Sequence, residues 1–277
     1  MMSKLTPEDV VLRYSKRGMN ILKKYLKDGY CRTAAEKLLH AERGTVLLTT
    51  GFYVAGYAET DGPLGTVAVA EALNHLGFHS VVVTDKYCKG FFELKQLDVE
   101  YVDITADEQA YEDILDKYNP VYMISIERCG ENAEHEYANM RGVSITSETA
   151  AIDHLFELAP EKHIPTIGVG DGGNEIGMGN VKDIISEKLE LNPCVVPVDD
   201  LIIATTSNWG AYALTAWLQK LSGEEVLFTF AEAEPYLAAT LEIGSVDGVL
   251  KEKKMGVDGF DMTVEKEILD SLAEAIA

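Results

Sequence analysis

Basic residues are scarce in this sequence. Across 277 residues, 24 Lys and Arg stand against 46 Asp and Glu, a formal charge of −22. Nucleic acid and anionic membrane surfaces both require clustered cations, so neither is an expected partner. Cysteine is sparse too. Cys31, Cys88, Cys129 and Cys194 form no C-x-x-C pair and lie too far apart for a zinc knuckle or a compact disulfide framework. Charges interrupt every apolar stretch well before the roughly 20 residues that a bilayer span needs. The N-terminal stretch MMSKLTPEDVVLRYSKRG lacks the apolar core and small-residue cleavage site of a secretory signal. There is no G-x-S-x-G elbow and no cysteine flanked by histidine as a nucleophile would be. His75 and His79 are spaced H-x-x-x-H but straddle Gly77 at a helix end, so a catalytic zinc site is not expected. These absences lead to the expectation of an acidic, reduced, cytoplasmic globular protein. Apolar helical ends leave a homo-oligomer open.

What is present is ordered. Apolar residues make up 47% of the chain, too many for a disordered one. Residues 8–42 read as helical, with Val10, Val11, Tyr14, Met19, Leu22 and Leu26 at helical spacing. Short β-branched runs then recur at Thr45–Thr49, Ser80–Thr84, Glu100–Ile104, Val121–Ile126, Thr166–Val169 and Leu201–Ala204. Amphipathic stretches alternate with them at Gly65–Leu76, Asp107–Tyr118, Glu148–Leu158 and Gly210–Leu221, and Glu265–Ile276 reads as a terminal helix. This alternation predicts an α/β fold, a mainly parallel sheet between helical layers in a Rossmann-like three-layer sandwich. The division expected is a helical extension over 1–44 and the α/β domain over 45–277.

Unusual polar residues fall immediately after the strands. Glu59 and Asp61 follow the first; Glu127, Arg128, Asn139 and Arg141 follow Val121–Ile126. Asp171, Asn174 and Glu175 follow Thr166–Val169, and Ser207 and Asn208 follow Leu201–Ala204. In a parallel sheet these four segments share the carboxyl edge, where open α/β folds bind ligands. Gly168, Gly170, Gly172, Gly173, Gly177 and Gly179 are dense enough for backbone N–H groups to approach a ligand. Gly168–Gly173 formally matches G-x-G-x-x-G, but it follows a late strand, opens no helix and carries Asp171 where a pyrophosphate would pass. Clustered carboxylates at Asp61, Asp171 and Glu175, with Glu59 and Glu127 nearby, favour a hard divalent cation, Mn²⁺ or Mg²⁺. Structural roles compete at single positions. Asp61 before Gly62-Pro63 and Asn208 before Trp209 read as helix caps, and Glu127 and Arg128 as a mutual pair.

Six strings carry a family resemblance: TGF at Thr50–Phe52, ETDGP-x-G at Glu59–Gly65, SIER-x-G at Ser125–Gly130, Y-x-NMRG at Tyr137–Gly142, GVGDGGNEIGMG at Gly168–Gly179 and SNWG-x-YAL at Ser207–Leu214. Over residues 45–222 the chain resembles the C-terminal domain of the D-glutamate cyclase family. That resemblance implies a hydro-lyase acting on a small acidic metabolite, converting D-glutamate reversibly to 5-oxo-D-proline and water. It implies Glu59, Glu127 or Asp171 in catalysis, with Glu59 or Glu127 as base. A metal would sit on Asp61, Asp171 and Glu175. Arg141 or Arg128 would clamp a carboxylate. The remaining substrate contacts would come from Asn139, Asn174, Ser207, Asn208 and the Gly172–Gly173 backbone, which would receive a developing oxyanion. Two other readings fit the same residues: a Mg²⁺- or Mn²⁺-dependent hydrolase of a phosphorylated small molecule, and a non-catalytic ligand-binding module that completes a companion domain.

Overall fold

A computed structural model describes residues 5–277. Its strands are β1 (Thr45–Thr49), β2 (Tyr53–Val54), β3 (Tyr57–Ala58), β4 (His79–Thr84), β5 (Asp98–Tyr101), β6 (Tyr122–Ile126), β7 (Thr166–Gly170), β8 (Asp200–Ile203), β9 (Gly256–Val257) and β10 (Phe260–Asp261). Its helices are α1 (Pro7–Val11), α2 (Met19–Leu22), α3 (Tyr30–His40), α4 (Pro63–His75), α5 (Glu108–Tyr118), α6 (His154–Lys162), α7 (Lys182–Leu189), α8 (Ser207–Ser222), α9 (Phe230–Ile243) and α10 (Met262–Ile276).

Runs such as Val46-Leu47-Leu48, Val81-Val82-Val83 and Met123-Ile124 are buried throughout. Continuous apolar strands of this kind belong to a sheet covered on both faces. They form one six-stranded parallel sheet in the order β5-β4-β1-β6-β7-β8. Counted along the chain, that is the doubly wound order 3-2-1-4-5-6, whose direction reverses between β1 and β6. From β1 the chain steps outward one way through α4, and from β6 the other way through α6. Right-handed crossovers therefore put α4 and α6 on opposite faces. One layer holds α3, α4 and α8, and the other α5 and α6, which pack on each other. The expected fold class is thus the observed one.

The buried helix α8 organises the first layer. Ser207–Ala216 is buried on every side, as a helix apolar all round must be. Gly65 of α4 lets the two helices close, since a Cβ there would sit 2.7 Å from the Ala211 Cβ. Helices α1 and α3, before the first strand, are integral to this layer. α1 and α3 both pack on α8, Thr205 N donates to Val11 O at 2.9 Å, and the Tyr30 hydroxyl donates to Ile203 O at 3.1 Å.

One helix starts later than its periodicity predicts. Thr149–Asp153 stays non-helical, and α6 begins only at His154. That conformation lets Asp153 accept hydrogen bonds from the Tyr137 hydroxyl (2.6 Å) and Glu131 N (2.8 Å). At the carboxyl edge two additions matter. The chain after α9 returns across it, with Thr60 N donating to Val246 O at 2.8 Å. The β9–β10 hairpin then turns through Asp258 and Gly259, with φ of +52° and +78°. Both residues at positive φ make this the Asp-Gly turn that matches strand twist.

Candidate active site

The loops after β1 and β6 meet where the strand order reverses, and there they wall a cavity of about 190 Å³. A cavity of this size, below the range of pockets for drug-sized ligands, suits one small metabolite. Five of the residues singled out in the sequence line it: Glu59, Glu127, Asn139, Arg141 and Asn174. Phe52, Tyr53 and Ile145 give it an apolar side.

Two helix starts are built reciprocally behind this cavity. Asp61 does not cap α4, whose cap is Gly62, and Asn208 does not cap α8, whose cap is Thr206. Each serves the other's helix. Asp61 accepts from Ser207 N and Asn208 N, both at 2.8 Å. Asn208 Oδ1 accepts from Gly62 N (2.9 Å) and Gly65 N (2.8 Å), while its amide donates to Thr60 O at 3.0 Å. Each helix N-terminus would otherwise leave buried N–H groups unmade. Asn208→Ala is expected to lower unfolding free energy by about 1–2 kcal/mol, the range for a lost cap, read by urea denaturation. An unchanged midpoint would contradict the cross-capping.

The glycine-rich loop after β7 folds around its own carboxylate. Glu175 accepts from Gly172 N and Gly173 N at 2.7 Å each, and from Asp171 N at 3.4 Å. The Gly172 and Gly173 N–H groups expected to receive an oxyanion are therefore already committed. A phosphate cradle on the same amides would have to displace Glu175.

Glu127 and Arg128 part company. Glu127 holds a left-handed backbone, φ +48°, which a non-glycine residue adopts only where its surroundings impose it. Its carboxylate faces the cavity and accepts a short hydrogen bond from the Ser207 hydroxyl. Arg128 points into the fold and is fully buried. It donates to Asp85 (2.6 Å), Gly51 O (2.7 Å) and Ala150 O (2.7 Å), tying three loops together. Neither the Glu127–Arg128 pair nor an Arg128 contact with the cavity forms.

The acids cluster, but in a different grouping from the one expected. Asp61, Asp171 and Asp258 each bring a carboxylate oxygen within 4.8 Å of the others, and so do Glu127, Asp171 and Glu175. Asp171 is common to both sets, each of which could hold a cation. Burial, then Asp258 and Asp61, push the Glu59 carboxyl well above the usual carboxylate range. Burial and Asp258 push Asp61 up to about 8, against the pull of the Asn208 and Ser207 amides. Glu127 is raised by burial, Asp171 and Glu175. Asp171 is raised by burial and drawn back by Arg17. Glu59 makes no hydrogen bond through its side chain among the described residues, and a Cβ on Gly248 would lie 1.7 Å from its Oε2.

Sequence reasoning missed Arg17, Asp258, Gly248 and Lys251, all of which line the cavity. Arg17 Nη1 lies 2.7 Å from both Asp171 oxygens and from Asp258. A basic residue in a short turn between helices carries no pattern. Asp258 was legible only as the first half of a D-G turn.

Comparison with known proteins identifies the family. The family model described as D-glutamate cyclase-like, C-terminal, matches residues 8–273, including Arg17 and Asp258 as well as the motif strings around the cavity. Human mitochondrial D-glutamate cyclase is 32% identical over 260 residues, covering 80% of this chain and 40% of that protein. The chain thus spans about two-fifths of that relative's length. Solved structures are only loosely similar. The UDP-glucose 4-epimerase of Brucella ovis is 16% identical, covering 53% of this chain and 49% of its own, with a TM-score of 0.32. MurG of Acinetobacter baumannii is 8% identical, covering 59% and 46%, with a TM-score of 0.33. With a match running nearly end to end and its motifs gathered at one cavity, the chain belongs to the D-glutamate cyclase-like, C-terminal family.

Proposed function

We propose that this chain interconverts D-glutamate with 5-oxo-D-proline and water, as a carbon–oxygen hydro-lyase. The observation that carries this reading is Glu59, a buried acid facing a cavity for one small molecule whose side chain makes no hydrogen bond among the described residues. Cyclisation requires the substrate α-ammonium to lose a proton before its nitrogen attacks the γ-carboxyl carbon. Glu59 takes that proton and, once the C–N bond has formed, the nitrogen gives up a second; both pass to the departing γ-oxygen, whose C–O bond then breaks as it leaves as water. Burial and the neighbouring Asp258 and Asp61 raise the proton affinity of the Glu59 carboxylate, which strengthens it as a proton acceptor. Glu127, oriented by the Ser207 hydroxyl, steadies the positive charge on the nitrogen.

A divalent cation, Mn²⁺ or Mg²⁺, fits the buried acids. Arg17 already neutralises Asp171 and Asp258, which favours the set Glu127, Asp171 and Glu175 over the one containing Asp61. Bound there, the ion would polarise the γ-carboxyl oxygen. The four buried, unbridged cysteines support a reducing compartment such as the cytoplasm. Among the described residues no helix is long and apolar enough to cross a membrane.

Gly248→Ala probes the base itself. The new Cβ displaces the Glu59 carboxyl, the movable end of a side chain, so the fold is little disturbed. Misplacement by about 1 Å can cost on the order of 10²-fold in rate, so kcat should fall about that far with Tm nearly unchanged. Full activity would remove Glu59 from the chemistry. The reaction itself is tested by following D-glutamate and, separately, 5-oxo-D-proline by NMR with the purified chain, with Mn²⁺ or chelator. Cation-dependent interconversion supports the reading, and its absence in every condition overturns it.

A further inference from the structure

We infer that Arg17 is the carboxylate receptor of this cavity. The inference rests on the proposed reading of the pocket and names the group that recognises its ligand. Arg17 reaches the cavity from the turn between α1 and α2, far in sequence from every motif string. Its Nη1 is fully used, held at 2.7 Å by both oxygens of Asp171 and by Asp258. Those acceptors are almost completely buried, at 1% and 4% side-chain exposure, while the arginine keeps 26%. One nitrogen of the guanidinium is thus anchored and the side chain still borders the cavity. Among the described residues Nε and Nη2 have no hydrogen-bond partner. That free edge is the planar two-donor fork that pairs with a carboxylate in bidentate fashion.

A second group in the same cavity also has unused capacity. Asn174, 7% exposed, spends its amide N–H on Ala138 O at 2.7 Å, which leaves its Oδ1 buried with no partner. A buried acceptor without a donor is costly and rare. A ligand N–H would satisfy it. Donors on Arg17 for a carboxylate and an acceptor on Asn174 for a nitrogen together describe an α-amino acid or a lactam acid. Both molecules of the proposed reaction keep the α-carboxylate, so one fork serves substrate and product alike. Arg141, the other arginine at the cavity, is exposed and makes no ion pair among the described residues, so nothing orients it.

The test uses two lactams that differ only in the carboxylate, 5-oxo-D-proline and 2-pyrrolidinone, with D-glutamate as a third ligand. Binding is measured by calorimetry on the full chain, and folding is checked by circular dichroism. Wild type should prefer the acid by roughly 10- to 100-fold, the range for hydrogen bonds to a charged group. Arg17→Met should abolish that preference. Arg17→Lys keeps the pairing with Asp171 and Asp258 but presents no fork; it should lose most of the preference and carries the test should the Met variant not fold. Arg141→Met should keep the preference. The inference is overturned if folded Arg17 variants discriminate as well as wild type, if Arg141→Met alone loses discrimination, or if wild type prefers neither acid. Should wild type bind both acids through Arg17 yet turn over neither, the inference stands and the hydro-lyase reading falls.

Discussion

Asp171→Asn should lower turnover of D-glutamate by at least about 10²- to 10³-fold, the range seen when one preorganised electrostatic partner is removed. Asp171 is the point at which the site's interactions meet. It belongs to both carboxylate sets and is the bidentate anchor of Arg17. Asparagine keeps the volume and one acceptor oxygen but loses the charge. The set Glu127, Asp171 and Glu175 proposed to hold the cation would lose one carboxylate, and Arg17 is left with Asp258 as its ionic partner. Both kcat and the apparent cation affinity should therefore fall together. Initial rates by NMR across a Mn²⁺ titration measure this. A variant with wild-type rate and wild-type cation dependence would remove Asp171 from the site.

The second large effect is on stability. Arg128→Met should cost about 3–5 kcal/mol, because it leaves the buried Asp85 carboxylate without its partner. At about 2–4 °C per kcal/mol for a chain this size, Tm should drop by roughly 10 °C. Methionine also leaves the Gly51 and Ala150 carbonyls without their donor. At a temperature where the variant stays folded, KM should be unchanged, since Arg128 does not reach the cavity. Pairing the change with Asp85→Asn should give less than the sum of the two single losses, because the orphaned charge is gone. A raised KM with normal Tm would instead return Arg128 to substrate binding. Arg128 thus holds the scaffold through Asp85, Gly51 and Ala150, whereas Arg17, paired with Asp171 and Asp258, borders the cavity.

Much of this was legible before the structure, for identifiable reasons. Five of the six sheet strands announce themselves because a sheet buried on both faces needs continuous β-branched and apolar runs; the edge strand β5 (Asp98–Tyr101) is polar and only half-buried, so the expected Glu100–Ile104 shares just two residues with it. The carboxyl-edge placement of Glu59, Glu127, Asn174 and Asp171 followed from the alternation alone. What the sequence did not disclose was direction. Asp61 and Asn208 both read as caps, and both are caps, but each for the helix that the other begins. Nothing local distinguishes a side chain serving its own helix from one serving a neighbour 146 residues away. The Glu127–Arg128 pair failed similarly, since a left-handed residue at the strand end turns the two side chains to different surroundings. The glycine-rich loop suggested open amides, and Glu175 occupies them from within. Arg17 and Asp258 were invisible as a pair because 241 residues separate them and only the tertiary fold brings them to 2.7 Å. Local patterns locate the strand ends, while the charges that complete the cavity arrive from both ends of the chain.

The measurement that bears most directly on the account is a progress curve run from both directions on the purified chain alone. One sample starts from D-glutamate and the other from 5-oxo-D-proline, in the same buffer with Mn²⁺, followed by NMR to constant composition. The account predicts that both reach the same ratio, at rates that fall together in Asp171→Asn. No conversion from either side, or conversion undiminished in Asp171→Asn, would contradict the claim that this cavity performs the reaction.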